Sequence, residues 1–265
     1  WAASQDVVFP ASLSLEQCSS EIAARFKASV AGGGARACDL TGGFGVDARF
    51  LAERFERLDY CERDAELAEI AQWNFRAFGL GERVATHCAS ALEFLERVDV
   101  RYDLIYIDPA RRDGRSLKVS ALEDCEPDVV AHWDALLERG RTVMLKASPG
   151  LDISRALGQL KGVFAVYVVS VKNECKELLL LAKSGHEGAP RIHCVNIEDA
   201  LENLDTLEFS LEEEREFPAS LAPAGRYLYE PNASIMKAGA FKTLSARLGL
   251  PALNPRTRLY SSREL

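Results

Sequence analysis

The stretch A-R-A-C-D-L-T-G-G-F-G-V-D, Ala35 to Asp47, decides how the whole chain is read. It opens as a short strand of small residues and breaks between Asp39 and Gly45 into a turn holding Gly42, Gly43 and Gly45. It then runs into V-D-A-R-F-L-A-E-R-F, where Val46, Phe50, Leu51 and Phe55 share one face at helical spacing. The order is strand, glycine turn, helix. Glycine lacks Cβ and tolerates positive φ, so such a turn lets the backbone approach a ligand closely. The helix that follows offers unpaired N–H groups. This combination points to a nucleotide-type cofactor.

Gly43-Phe-Gly-Val-Asp-Ala48 also satisfies the G-x-G-x-x-G/A dinucleotide fingerprint, which keeps a nicotinamide-dependent oxidoreductase as an alternative. The residues before the glycines separate the two. A nicotinamide-binding strand usually runs apolar into its first glycine, whereas here Asp39 and Thr41 stand at the strand end. The resulting D-x-x-x-G-x-G resembles motif I of the class I S-adenosylmethionine (SAM) methyltransferases. Downstream, Leu58-Asp-Tyr-Cys-Glu-Arg-Asp64 reads as a second strand ending in an acid. Glu62 has the separation from the glycines expected of a carboxylate that accepts ribose hydroxyls.

Tyr102-Asp-Leu-Ile-Tyr-Ile-Asp-Pro-Ala-Arg-Arg112 is the second decisive stretch: a nearly all-apolar buried parallel strand stopped at Asp108-Pro109. In open α/β sheets, ligands lie beyond the carboxyl ends of the strands at the switch point. The first and fourth strands are neighbours there, so Asp39 and Asp108 are expected to face one crevice.

At 265 residues and 48% hydrophobic, the chain can bury a large core and carry an appendage beside one α/β domain. No apolar run reaches the ~20 residues of a membrane span. The chain opens on Trp1, without a signal peptide, as an excised or processed terminus would. Seven cysteines make no C-x-x-C pair, which predicts reduced thiols in a cytoplasmic protein with neither disulfides nor zinc. His87, His132, His186 and His193 show no ligand spacing. The net charge of -8 argues against a uniformly basic nucleic-acid binder, yet residues 226–263 concentrate Arg226, Lys237, Lys242, Arg247, Arg256, Arg258 and Arg263.

Along the chain, Ser14-Leu-Glu-Gln17 is a capping-box pattern ahead of a helix carrying Ile22, Phe26 and Val30. Asp64 caps a helix with Leu67, Ile70, Ala71, Phe75 and Phe78 on its apolar face. Residues 83–88 form a third strand. Val129, Trp133, Leu136 and Leu137 mark a further helix, and Arg141 to Pro149 a fifth strand. Val163 to Val171 and Glu177 to Ala182 are separated by too few residues for a helical crossover and must pair antiparallel. Beyond Pro190, strands are expected at 191–197, at Leu207, Phe209 and Leu211, and at 226–229, with a helix through Phe241, Leu244 and Leu248.

Together with V-K-N-E-C-K-E and Y-L-Y-E-P-N-A-S-I-M-K-A-G, these motifs resemble a bacterial family of class I SAM methyltransferases carrying a THUMP-like domain. The resemblance implies a Rossmann-like α/β fold, a seven-stranded sheet with a terminal antiparallel hairpin, plus a small α+β C-terminal appendage. Expected divisions are a helical segment (1–31), a SAM-binding core (32–186) and a THUMP-like appendage (187–265). It implies SAM as cofactor, bound by Asp39, Thr41, Gly42, Gly43, Gly45, Glu62, Arg63 and Asp108. Cys88, Ala89 and Ser90 would border the adenine, and Gln17, Ser19 and Ser20 could reach the methionine end. By analogy with THUMP proteins the substrate is RNA, contacted by the 226–263 face together with Arg111, Arg112, Arg115 and Lys118.

Asp108, Pro109 and Arg111 are the candidate catalytic residues. Asp-Pro-Ala-Arg lacks the aromatic of the Asp-Pro-Pro-Tyr form, which would stack on a flipped base. A SAM- or RNA-binding module without chemistry is therefore the non-enzymatic alternative. Methylating C5 of a pyrimidine generally needs a cysteine, and neither Ala110 nor Lys146-Ala-Ser-Pro149 supplies one. Only Cys175 remains, so direct transfer to a base nitrogen is expected.

Overall fold

A computed structural model describes residues 6–10, 18–111 and 121–264, with Arg111 described by its backbone alone. Ser14, Gln17, Arg112, Arg115 and Lys118 lie outside the described residues. The chain divides into two compact units, Trp1–Gly162 with Leu180–His186, and Val163–Leu179 with Glu187–Leu265.

The first unit is built on five parallel strands: β1 (Gly34–Asp39), β2 (Phe55–Glu62), β3 (Val84–Cys88), β4 (Tyr102–Ile107) and β7 (Gly140–Ala147), in the order β3-β2-β1-β4-β7. The order reverses between β1 and β4. Asp39 lies opposite Tyr106 in that register, and Asp108 follows at the β4 exit. The apolar run of β4 is buried throughout, as a strand covered on both faces requires.

Helix α1 (Glu21–Val30) carries Ile22, Phe26 and Val30. Its N-cap is Ser20, whose hydroxyl accepts from the Ala23 N–H at 3.4 Å. Helix α2 (Val46–Leu51) is shorter than its apolar spacing implied. Phe55 lies in β2 instead of on the helix, because its pairing with Gly34 buries the ring in the sheet. Tertiary pairing overrides helical spacing there. Helix α3 (Ala65–Ala77) is capped by Asp64, which accepts from Glu66 and Leu67 N–H groups. Its buried face carries Ala68, Ala71, Asn74 and Phe75. Asn74 is tolerated there because its amide bonds both the N–H and the C=O of Val8, each at 2.9 Å.

Helices α4 (Ala91–Arg97), α5 (Trp133–Arg139) and α6 (Ile153–Gln159) complete this unit. A small ladder the sequence did not announce, β5 (Ala110–Arg111) against β6 (Cys125–Glu126), forms directly after Asp108-Pro109. Among the described residues no helix is long and apolar enough to cross a membrane.

In the second unit, β8 (Val163–Val171) turns through Lys172 and Asn173 into β9 (Glu174–Ala182), whose last residues belong to the first unit. Both turn residues have positive φ, 50° and 58°, the signature of a two-residue type I′ turn. β10 (Arg191–Ile197) lies parallel to β8 from Arg191 opposite Ala165 to Ile197 opposite Val171, and β11 (Leu204–Phe209) runs antiparallel to β10. The division therefore differs from a cut at 187: most of the hairpin groups with the C-terminal residues, because β10 extends its ladder.

Leu211, expected to continue β11, begins helix α7 (Leu211–Glu216). A capping box between Ser210 and Glu213 starts the helix there. Helix α8 (Ala233–Ala238), capped by Asn232, packs on β8 and β10. Helix α9 (Phe241–Leu248) ends at Gly249, and β12 (Tyr227–Tyr229) pairs antiparallel with β13 (Tyr260–Ser262).

Candidate active site

A cleft of about 760 Å³ opens in the first unit over the carboxyl ends of the strands. A site for a drug-sized or cofactor-sized ligand typically spans about 300–1,000 Å³. Its floor is the glycine turn. Gly43 and Gly45 have φ of 56° and 83°, a region that strains any residue with a Cβ. Gly42 is required for a different reason: a Cβ there would lie 2.1 Å from the Tyr60 ring. The turn is held by the Gly42 N–H on the Cys61 C=O at 2.8 Å and by the Tyr60 hydroxyl, which donates to the Gly43 C=O. Phe44, within the turn, packs against Phe9 with ring centroids 5.8 Å apart.

Glu62, at the end of β2, spans the turn and the start of α3. One carboxylate oxygen accepts from the Gly43 N–H at 2.7 Å and the other from the Asp64 N–H at 2.8 Å. Each oxygen keeps a further lone pair, so two hydroxyls can still donate to the same carboxylate.

Asp39 is buried at the end of β1, and its carboxylate accepts from the Thr41 N–H at 3.0 Å. Burial pushes its carboxyl well above the usual carboxylate range. The Thr41 N–H counteracts this, while the negative charges of Asp47, Asp108 and Glu62 add to the rise. Thr41 also ties the two strand ends together, its hydroxyl accepting from the Asp108 N–H at 2.6 Å.

Asp47, in the first turn of α2, anchors a polar network that motif spacing did not reveal. Its Oδ2 accepts from Ser19 at 2.9 Å and from Tyr106 at 2.7 Å, and its Oδ1 lies 3.2 Å from the fully buried Lys27 ammonium. Burial pushes the Asp47 carboxyl up, but Lys27 and then Lys146, with the two hydroxyls, outweigh it and hold it below its ordinary value. Across the cleft, the Lys146 ammonium at the end of β7 bonds Asp108 Oδ2.

Of the sequence-predicted residues, Asp39, Thr41, Gly42, Gly43, Gly45, Glu62, Arg63, Ala89, Ser90, Asp108 and Pro109 line this cleft. Cys88 does not. Its thiol is exposed and faces the Arg63 C=O at 3.9 Å. Ser90 is the N-cap of α4 in a capping box with Glu93, a structural task besides its place on the wall. Arg111 contributes backbone to β5, and its side chain lies outside the description. Asp47, Tyr106, Lys146, Ser19, Glu126 and Pro127 also line the cleft. Of Gln17, Ser19 and Ser20, the residues expected near the methionine end, Ser19 lines the cleft. Asp47 and Lys146 carry no motif signal in the sequence, and only the fold shows which way they face.

A family profile describing a ferredoxin-like domain matches residues 227–265; no THUMP-like domain is shown. The crystal structure of a Porphyromonas gingivalis W83 protein, provisionally named a methyltransferase, is 34% identical, with a TM-score of 0.91 over 100% of this chain and 66% of that one. Uncharacterized SAM-dependent methyltransferases of two Mycobacterium tuberculosis strains, H37Rv and CDC 1551, are 28% identical over 231 residues, 82% of this chain. The chain spans 61% of the length of those mycobacterial relatives. The chain is thus similar in sequence to proteins named as SAM-dependent methyltransferases and, in both sequence and fold, to the Porphyromonas gingivalis protein.

Proposed function

We propose that the cleft binds SAM and that the chain transfers its methyl group to a base nitrogen of RNA. The observation that carries the cofactor reading is the convergence of Asp39, the glycine turn, Glu62 and Asp108 on one cleft at the β1/β4 reversal. The residues present fit the group. The carboxylates that line the cleft, Asp39, Asp47, Glu62, Asp64, Asp108 and Glu126, outnumber Arg63 and Lys146 there and the buried Lys27 beside Asp47, and the Asp39 carboxyl, raised first by burial, is raised further by Asp47, Asp108 and Glu62. A ligand carrying a sulfonium and an ammonium relieves that excess. The glycine turn gives it close backbone approach, and Glu62 retains lone pairs for ribose hydroxyls.

When bound, SAM supplies an electrophilic methyl on a positively charged leaving group. The chain's task is then alignment and exclusion of water. Asp108 accepts a hydrogen bond from an N–H of the acceptor, which turns the nitrogen lone pair toward the cleft. Pro109 ends the strand so that this carboxylate stands at its mouth. RNA as acceptor is supported by the Arg- and Lys-rich 226–263 segment, which would neutralise backbone phosphates. Incubating the protein with methyl-labelled SAM and total RNA, then identifying the labelled nucleoside, tests this. A methylated base nitrogen is the expected product, and RNA left unlabelled would overturn the RNA assignment.

Two further outcomes are expected. Glu62→Ala should weaken SAM binding by about 1 to 3 kcal/mol, the scale of hydrogen bonds to a charged group, as read by calorimetry. Unchanged affinity would remove Glu62 from the ribose. Burial first, and Glu177 after it, push the Cys175 thiol up to about 11 against the opposing pull of Lys237, so it is not a ready thiolate at neutral pH. Cys175→Ser should accordingly keep turnover within about twofold, since no covalent step uses it.

A further inference from the structure

Lys146 lines the cleft opposite the cofactor turn and the proposed ribose carboxylate, and its chemistry belongs to neither. It sits near the end of β7, where its side chain is 15% exposed, and its ammonium bonds Oδ2 of Asp108, which is 35% exposed. Packing does not require a cation at that position. Desolvating an ammonium is unfavourable, and an apolar side chain of similar length would fill the same space. The ammonium adds to the positive charge that holds the Asp47 carboxyl down, and it contacts Asp108 directly. It occupies one oxygen of Asp108, and the Asp108 N–H is separately tied to Thr41 Oγ1 at 2.6 Å. The carboxylate is thereby fixed at its backbone and at one of its two oxygens, with Oδ1 the remaining acceptor position.

We infer that Lys146 is a positioning residue of the acceptor subsite: it clamps Asp108 by Oδ2 so that Oδ1 alone receives the acceptor's N–H. This rests on the methyl-transfer reading above and deepens it. The acceptor must then carry a hydrogen on the nitrogen to be methylated or on its immediate neighbour. Geometry of this kind matters because an acceptor displaced by about 1 Å can lose on the order of a hundredfold in rate. A free carboxylate would instead rotate between equivalent orientations.

The test compares Lys146→Met, Lys146→Arg, Asp108→Asn and the Asp108→Asn/Lys146→Met double variant with the wild type. Calorimetry with S-adenosylhomocysteine reads the cofactor site, and labelled-methyl transfer to total RNA reads turnover. Crystal structures of the two Lys146 variants without cofactor read the Asp108 carboxylate directly. Lys146→Met is expected to lower kcat about a hundredfold while S-adenosylhomocysteine affinity stays within about threefold. Lys146→Arg should recover most of that loss by restoring a cation. The double variant should be no slower than Asp108→Asn alone, since residues acting as a unit are non-additive.

In the crystal of Lys146→Met the carboxylate should have left its wild-type orientation, and in Lys146→Arg it should have kept it. A carboxylate unmoved in Lys146→Met, turnover within threefold of wild type, or a double variant slower by the full product of the single losses would each overturn the inference. Failure of the wild type to bind S-adenosylhomocysteine would instead overturn the methyl-transfer reading itself, and the crystal comparison would still decide whether Lys146 holds Asp108.

Discussion

Asp108→Ala is expected to lower turnover by at least about a thousandfold while leaving SAM binding within a few fold, the pattern of a group that acts on the acceptor. The carboxylate stands at the exit of β4, bonded to Lys146 and held at its N–H by Thr41, and the glycine turn and Glu62 belong to β1 and β2. On the proposed reading, removing it deletes the acceptor's hydrogen-bond partner and leaves Glu62 and the glycine turn in place. It also leaves the Lys146 ammonium beside the acceptor without its counter-charge, which further disfavours a nitrogen that gains positive charge on methylation. Calorimetry and labelled-methyl transfer on the same preparation check the split. Equal losses of binding and turnover would move Asp108 into the cofactor site, and turnover within tenfold of wild type would remove it from the chemistry.

The largest expected effect on stability belongs to Lys27→Met. Lys27 is fully buried in α1, and its ammonium donates to Ser19 at 3.0 Å and lies 3.2 Å from Asp47, whose side chain is 12% exposed. Removing one partner of a buried pair strands the other charge, a loss of roughly 3 to 5 kcal/mol. For a unit of this size that is on the order of 10 °C in the unfolding midpoint. The Asp47→Asn/Lys27→Met double variant should recover a large part of the loss. An amide oxygen still accepts from Ser19 and Tyr106, and no buried charge is left unpaired.

The pH dependence carries a definite sign. The Asp47 carboxyl lies below its ordinary value in the folded protein, so its stabilisation is fully present above the unfolded value of about 3.9 and is lost as pH falls through the lower folded value. In Lys27→Met the largest favourable charge is gone, so the folded carboxyl should rise from its wild-type position. The deficit of the variant should then be greatest near neutral pH and shrink toward pH 4. Denaturant unfolding across that range checks it, and a pH-independent deficit would assign Lys27 a packing role only.

The sequence alone determined the parts of this protein whose chemistry is local. Gly43 and Gly45 favour a turn locally, because glycine accepts the positive φ that both adopt. The apolar run of β4 ending at Asp108-Pro109 makes a buried strand and its stop, and Glu62 is legible as an acid ending the strand after the glycines. From these the parallel sheet and the cleft at its reversal followed.

Tertiary structure decided whatever depends on two distant segments meeting. Phe55 fits a helical face by spacing but is taken by the sheet, since pairing with Gly34 buries it. Leu211 fits a strand alternation but starts a helix, since Ser210 and Glu213 close a capping box. The grouping of β8 with β10 rests on a parallel ladder between strands that no local signal joins. Lys27 with Asp47, and Lys146 with Asp108, are single charged residues separated by tens of positions in sequence. Their pairing is a property of strand order and helix placement, and a charge by itself does not reveal whether it will meet solvent or a buried partner.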